Sequence, residues 1–516
     1  MKSIVYTKRF IQAFKDPEKV QSQTLMRILK KNQQSIYGMR HRFSSISSVE
    51  RYQQQVPIIE YEDIIPEIEE LKRGKQGVLT TAPVEYFAST SGTTSGVKLV
   101  PVTKERVQAL KTEFIIWMRL TLKGHLKDAL GKILYIAGPY HEGYTEGGTP
   151  YGSISGYLLY KGPDWAKKRL AIPIEVFNEF DFEKKLHLMS IHALQSNVTH
   201  LGFTTSIEVL LLFDYIREHW DQLVQEIEQM NPRRAKKLRS ISDPKPGMIW
   251  PKLHLANCFM TETSKIYMQT LMDVIGRDIV VRDPGINASE GRISLGICDD
   301  QISGYPAVYN TFFEFQDYDH PEQIRLIHDL EKGRRYKIIL TTSEGLYRYQ
   351  TGDVVEVTGF KNQLPQIRFF ERDFFLNIVG ELASERELVK AMERTMEQSG
   401  VRVEGFTYIP CYKSGNQRPR YEVLVEPAQE SAPLSETFAS LLDQNLMEGI
   451  NDYRQMRHEF GRLDTPVISQ IKENSWQELN SLRIVRAGQP KYIHIAKDPA
   501  FRDHFTIVGS YEARNS

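Results

Sequence analysis

Residues 86–104 read YFASTSGTTSGVKLVPVTK, and the centre of this stretch sets four hydroxyls and two glycines side by side: Ser91, Gly92, Thr93, Thr94, Ser95 and Gly96. The flanks Tyr86-Phe87-Ala88 and Leu99-Val100 lean towards β-structure. A loop of this composition suits an anion. Without Cβ atoms in the way, consecutive backbone N–H groups turn towards phosphate oxygens, and Ser and Thr hydroxyls add donors that rotate to follow them. Lys98 supplies a point charge for the same oxygens. The spacing departs from the Walker pattern, because Val97 separates Gly96 from Lys98 and Leu99 follows, so an ordinary kinase or ATPase P-loop is not expected. A helix-prone run from 104 to 122 comes next, with Val107, Leu110, Phe114 and Trp117 on one face. Strand, loop and helix in that order would present the loop at a sheet edge, where α/β proteins bind ligands. A polar surface linker has a similar composition, so the reading needs support from elsewhere in the chain.

The 516 residues exceed one comfortable core, which predicts two domains. Lys plus Arg total 66 against 65 Asp plus Glu, so no global field recruits nucleic acid or an anionic membrane, and phosphate binding must be local. Cys258, Cys298 and Cys411 lie far apart without C-x-x-C spacing, as in a reduced compartment with neither a disulfide frame nor structural zinc. No run of about 18 apolar residues and no cleavable leader pattern is visible, and a soluble cytoplasmic protein is expected.

Apolar spacing predicts two helices over 7–40, through Phe10, Ile11, Phe14, Leu25, Ile28, Leu29 and Tyr37. In VPIIEYEDIIPEIEEL, Pro66 and the acids Glu67, Glu69 and Glu70 mark another helix start. KILYIAGPY at 132–140 reads as a buried strand, and the following Gly-, Tyr- and Ser-rich stretch as a functional loop. A helix, a short strand over 198–203 and an apolar helix from Ile207 come next. His192, His200 and His219 lack metal spacing. The basic run in NPRRAKKLRSISDPKPG is read as a solvated surface segment.

Two further stretches carry chemistry. In DIVVRDPGINASEGRISLG, 278–296, Ile279-Val280-Val281 reads as a buried strand and Gly285 to Gly291 as the turn after it, carrying Ser289 and Glu290. A carboxylate beside a phosphate loop would repel its ligand unless a cation lay between them, which makes Glu290 a candidate magnesium ligand. In GLYRYQTGDVVEVTGF, 345–360, Tyr347 and Tyr349 alternate with Arg348 and Gln350 in strand fashion, Gly352 turns the chain, and Asp353 precedes a second alternating run. An acid on such a turn is suited to accept both ribose hydroxyls. Beyond Phe360 the texture changes, and a boundary near Phe370 divides a large domain, 1–370, from a small one, 371–516.

TSGTTSG with a following lysine, then a turn ending S-E-G, then Y-Q-T-G-D, resembles the ordered signature of the adenylate-forming superfamily. QQQVPIIEYEDIIPEIEELKRGKQGVLT, YRYQTGDVVEVTGFKNQLPQIRF and LNSLRIVRAGQPKYIHI narrow the resemblance to the auxin-responsive GH-three family of acyl acid amido synthetases, over nearly the whole chain and with a bacterial-type member expected. The resemblance implies an α/β, firefly luciferase-like adenylate-forming fold: a large N-terminal ATP- and acyl-binding domain and a small mobile C-terminal α+β domain. It implies ATP and Mg2+, a small carboxylic acid and an amine, usually an amino acid, as partners. Ser91 to Gly96 and Lys98 match the family's phosphate loop, Glu290 its magnesium turn with Ser289 near the α-phosphate, and Asp353 its ribose acid with Tyr349 on the same strand. Lys491 resembles a family lysine near the end of the chain.

Three departures stand out. Ile286 and Asn287 occupy positions where the family generally has an aromatic and a small residue. Leu382 follows Gly380-Glu381 where bacterial members often have lysine. Val97 is the single residue before Lys98 where two are common. MTETSK at 260–265 replaces a glycine-rich turn, and Trp117, Phe203, Phe259 and Met260 are candidates for the acyl end. Two alternatives to amide synthesis stay open on the residues: acyl transfer to coenzyme A, and a nucleotide-binding relative without turnover.

Overall fold

The computed structural model describes residues 10–90, 98–121, 131–202, 206–259, 271–297, 302–372, 375–376, 378–379, 381, 383–412, 418–459, 462–479 and 493–513. These fall into two compact units, the described residues up to Phe370 and those from Glu371 onward.

The first unit opens on the helix Pro17–Asn32, started by Pro17 and by Asp16, whose carboxylate accepts from the Lys19 N–H at 3.0 Å. It buries Leu25, Ile28 and Leu29. The helix Ile65–Lys72 has Pro66 and Glu67 in its first turn. The strands Val84–Thr90 and Lys98–Thr103 pair antiparallel, from Val84 with Thr103 to Thr90 with Lys98. The expected order is corrected here: residues 91–97 join two strands of a hairpin, and the helix Lys104–Thr121 begins only after the second. The physical reason is the run Leu99-Val100-Pro101-Val102-Thr103, buried throughout, which carries the pairing away from the loop. On the helix Val107 and Leu110 are buried as expected, but Phe114 is 52% exposed.

The stretch after Pro139 is not one irregular loop. Gly143–Tyr144 and Pro150–Gly152 form a small hairpin whose second strand runs parallel to Val84–Thr90, pairing Phe87 with Tyr151 and Ala88 with Gly152. Lys132–Tyr135, Val198–Gly202, Leu255–Asn257 and Val280–Arg282 build a four-stranded parallel sheet over a core of its own. His200 belongs to this sheet, buried, with its Nε2 2.5 Å from the Asn257 amide. A third, five-stranded antiparallel sheet runs in the order Ile324–Leu326, Phe312–Asp317, Arg335–Thr341, Tyr349–Lys361, Leu364–Arg372.

Gly352 does not end a strand. Tyr349–Lys361 is continuous, and the extra residues lie in a bulge: Ile339 pairs with Gln350 while Lys337 pairs with Val354, and Gly352 adopts φ +76°. The alternation expected from Tyr347 is broken at Arg348, which has φ +49°. Its guanidinium explains why that left-handed conformation is held. Nε and Nη2 bind both oxygens of buried Glu314 at 3.0 and 2.9 Å, and Nη1 binds the carbonyls of Gln53 and Val56 at 2.8 Å each.

The second unit centres on the sheet Val403–Cys411, Arg420–Pro427, Val467–Ile471, Ile507–Glu512. The helices Glu385–Ser399 and Glu436–Gly449 contribute to its larger core. The first of them starts with a Ser384/Glu387 capping box and ends at Gly400, φ +70°. Among the described residues no helix is long and apolar enough to cross a membrane.

Candidate functional site

Lys98 opens its strand opposite Thr90, at the exit of the hydroxyl stretch. Its ammonium lies 3.1 Å from Glu62 Oε1 and 4.9 Å from the centre of the Tyr61 ring. The Tyr61 hydroxyl in turn accepts from the Leu99 N–H at 2.9 Å and donates to the Leu99 carbonyl at 3.3 Å. Just upstream, the Ile59 N–H donates to the Arg348 carbonyl at 3.0 Å and the Gln350 N–H to the Ile59 carbonyl at 2.8 Å, a parallel bridge beside Tyr349. A short segment thereby ties the strand of Lys98 to the strand of Tyr349.

Ser289 and Glu290 occupy the two central positions of a tight turn. The Ala288 N–H donates to the Gly291 carbonyl at 2.9 Å, the Gly291 N–H donates back at 3.2 Å, and Asn287 bridges Arg292. The turn is held at its base. Asp283 accepts from the Gly285 N–H at 2.7 Å, and Ser294 Oγ from the Ile286 N–H at 3.0 Å. Arg292 donates to the Ser294 carbonyl at 3.0 Å through Nε and to the Pro284 carbonyl through Nη2. Ile286, at the position of the family's aromatic residue, is buried in the core and offers no stacking face.

Tyr349 reports how these parts meet. Burial pushes its phenol well above the ordinary range, and the charges of Glu290, Glu62 and Asp353 raise it further. Tyr61 is raised as well, by burial first and with added contributions from Glu69, Glu62 and Glu290, against the lowering effect of its bond to Leu99. Three carboxylates from three distant stretches thus bear on one phenol, and Lys98 sits beside one of them. Asp353 is buried in the bulge, with its N–H on Thr351 Oγ1 at 3.1 Å.

Glu290, Glu62 and Asp353 thus raise the Tyr349 phenol, and Lys98 is paired with Glu62. Ser91, Gly92, Thr93, Thr94, Ser95, Gly96 and Lys491 lie outside the described residues, as do Phe203, Met260–Lys265, Gly380 and Leu382. Glu381, described, is buried and accepts from the N–H groups of Ile378 and Val379 at 2.8 and 2.9 Å and from the Tyr421 hydroxyl at 3.1 Å, a satisfied structural carboxylate. Arg348, which alternates with Tyr347 and Tyr349 in the sequence, serves the core through Glu314.

Three residues escaped the sequence reading. Tyr61 and Glu62 sit just before a helix start that the sequence marks by Pro66 and Glu67; their own signal was an aromatic set between carboxylates, which periodicity does not score. Glu142 lay in the Gly- and Tyr-rich stretch. Its Oε1 accepts from Ser89 Oγ at 3.0 Å, two residues ahead of Ser91. Burial pushes its carboxyl up to about 7, against the lowering effects of the Ser89 bond and of Lys185.

The GH3 family N-terminal domain matches residues 6–280, the central domain 305–372 and the C-terminal domain 386–500. An Arabidopsis thaliana protein named indole-3-acetic acid-amido synthetase GH3.2 is 26% identical over 512 residues, covering 87% of this chain and 92% of its own. The solved structure of the GH3.15 acyl acid amido synthetase superposes with a TM-score of 0.85 at 20% identity, covering 98% of this chain and 96% of its own. A 2-hydroxyisobutyryl-CoA ligase in its postadenylation state shares the fold at a TM-score of 0.53 and 14% identity, covering 93% and 89%. The architecture is that of the adenylate-forming enzymes.

Proposed function

This chain belongs to the GH3 family, and we propose that it is an ATP-dependent acyl acid amido synthetase. In the first step a carboxylate oxygen bonds to the α-phosphorus of ATP, the bond to the bridging oxygen breaks, and pyrophosphate leaves. In the second an amine nitrogen, of an amino acid by preference, bonds to the acyl carbon; the bond to AMP breaks and the amine gives up a proton. Neither step needs a covalent enzyme nucleophile, only charge placed to stabilise phosphate oxygens.

The observation that most supports this reading is the convergence on Tyr349, where Glu290, Glu62 and Asp353 act on one buried phenol and Lys98 stands beside Glu62. In the proposed roles Lys98 and the loop Ser91 to Gly96 bind phosphate oxygens, Ser289 lies at the α-phosphate, Asp353 accepts the ribose hydroxyls, and Tyr349 packs beside them. Lys491 is proposed as a further phosphate contact. ATP and acyl binding are assigned to 1–370, with 371–516 as the smaller domain.

The donor set fits magnesium. Glu290 is one half-buried carboxylate at a turn tip, and no cluster of three His, Cys, Asp or Glu side chains gathers among the described residues. Mg2+ is commonly held by one or two carboxylates together with phosphate oxygens and water. The carboxylates around Tyr349 outnumber the ammonium of Lys98, so a polyphosphate needs a cation of its own there. Glu290 would hold it, and the ion would neutralise charge on the phosphate oxygens.

The test is carboxylate-dependent exchange of labelled pyrophosphate into ATP, against pooled aromatic, fatty and jasmonate-like acids. Exchange with one pool, followed by amide formation on adding amino acids, is expected. Thioester formation with coenzyme A in place of amide would replace the second step. ATP binding without exchange in any pool would replace both.

A further inference from the structure

Resting on that reading, we propose that Tyr61 and Glu62 are positioning residues for Lys98, and that they set it in register with the strand of Tyr349 and Asp353. Lysine carries its charge on a flexible four-carbon stem, and confining such a side chain costs rotamer freedom. No single contact of Lys98 offsets that. Its partner Glu62 is 55% exposed, and an exposed ion pair contributes little. The Tyr61 ring beneath the ammonium adds a modest cation–π attraction. Together the two approach the cost, so a change in either loosens the ammonium.

The ring is itself fixed. Its hydroxyl holds both the N–H and the carbonyl of Leu99, the residue after Lys98, so ring and strand move as one. The segment is also clipped to the strand of Tyr349 through Ile59. A continuous path of backbone and side-chain bonds therefore runs from Gln350 through Ile59, Tyr61 and Leu99 to Lys98. It joins two motifs that are far apart in the sequence.

The experiment uses the full chain with Glu62→Gln, Tyr61→Phe and Glu62→Asp. Acylation of Lys98 by an amine-reactive ester, read by peptide mass spectrometry, measures how firmly the ammonium is held. Pyrophosphate exchange measures the consequence. In Glu62→Gln and Tyr61→Phe, Lys98 should acylate roughly threefold faster or more, and exchange kcat should fall about tenfold with KM for ATP within about twofold of wild type. Glu62→Asp should recover part of both. Unchanged acylation in both variants overturns the proposal, as does faster acylation with exchange kcat intact. Should wild type exchange with no acid, the proposed function fails, and the acylation rates alone still decide whether these residues hold Lys98.

Discussion

The Ser89 hydroxyl donates to Oε1 of Glu142 at 3.0 Å, near the end of the strand that leads into the hydroxyl loop. Burial of that carboxyl, which raises it from 4.5 to about 7, makes it a pH-sensitive point in the sheet.

The folded chain keeps a proton on Glu142 between about pH 4.5 and 7 that the unfolded chain releases. Stability from this group is therefore complete below 4.5, falls as pH rises through about 7, and is level above. The loss amounts to about 3 kcal/mol. Glu142→Gln should lack that slope, so its denaturation midpoint should exceed that of wild type at pH 8 and approach it at pH 5. Parallel midpoint curves for the two proteins would contradict the assignment.

Lys98→Ala and Glu290→Ala should each lower pyrophosphate exchange by about 10²–10³-fold, the usual cost of losing one charge-stabilising group. For Glu290→Gln the magnesium concentration giving half-maximal exchange should also rise. An unaltered magnesium dependence would remove Glu290 from the metal.

Gly285 adopts φ +89°, and a Cβ there would lie 2.5 Å from the Ser294 carbonyl oxygen and 2.7 Å from the Gly296 nitrogen. Gly285→Ala should therefore distort the base of the turn that carries Ser289 and Glu290. We expect destabilisation of about 1–3 kcal/mol together with impaired exchange. Wild-type exchange and melting in this variant would show that the turn tolerates the change.

Arg348→Met leaves Glu314 buried without its cation and should cost about 3–5 kcal/mol, read from urea midpoints. Pairing it with Glu314→Leu should recover much of the loss, because two apolar groups then replace two desolvated charges. If the double variant were no better than the single one, the guanidinium bonds to Gln53 and Val56 would be the larger part of its role.

Much of this protein is legible from local chemistry. The alternating and helical runs became strands and helices because apolar spacing and end residues act over a few positions, as with Asp16 and Pro17 or the Ser384 capping box. Lys98, Glu290 and Asp353 stood out as candidates for a similar reason, since a charge flanked by glycines and hydroxyls is unusual wherever it falls. The partners of Arg348, the burial of Ile286, the hairpin pairing of Thr90 with Lys98, and the approach of Tyr61 and Glu62 to Lys98 were not. Each depends on residues brought together from distant parts of the chain. The sequence by itself determined which segments pair or coil and which residues carry charge. Only the tertiary structure decided which of those charges face one another, because Coulomb interactions and hydrogen bonds act through distances in space that a one-dimensional pattern does not record.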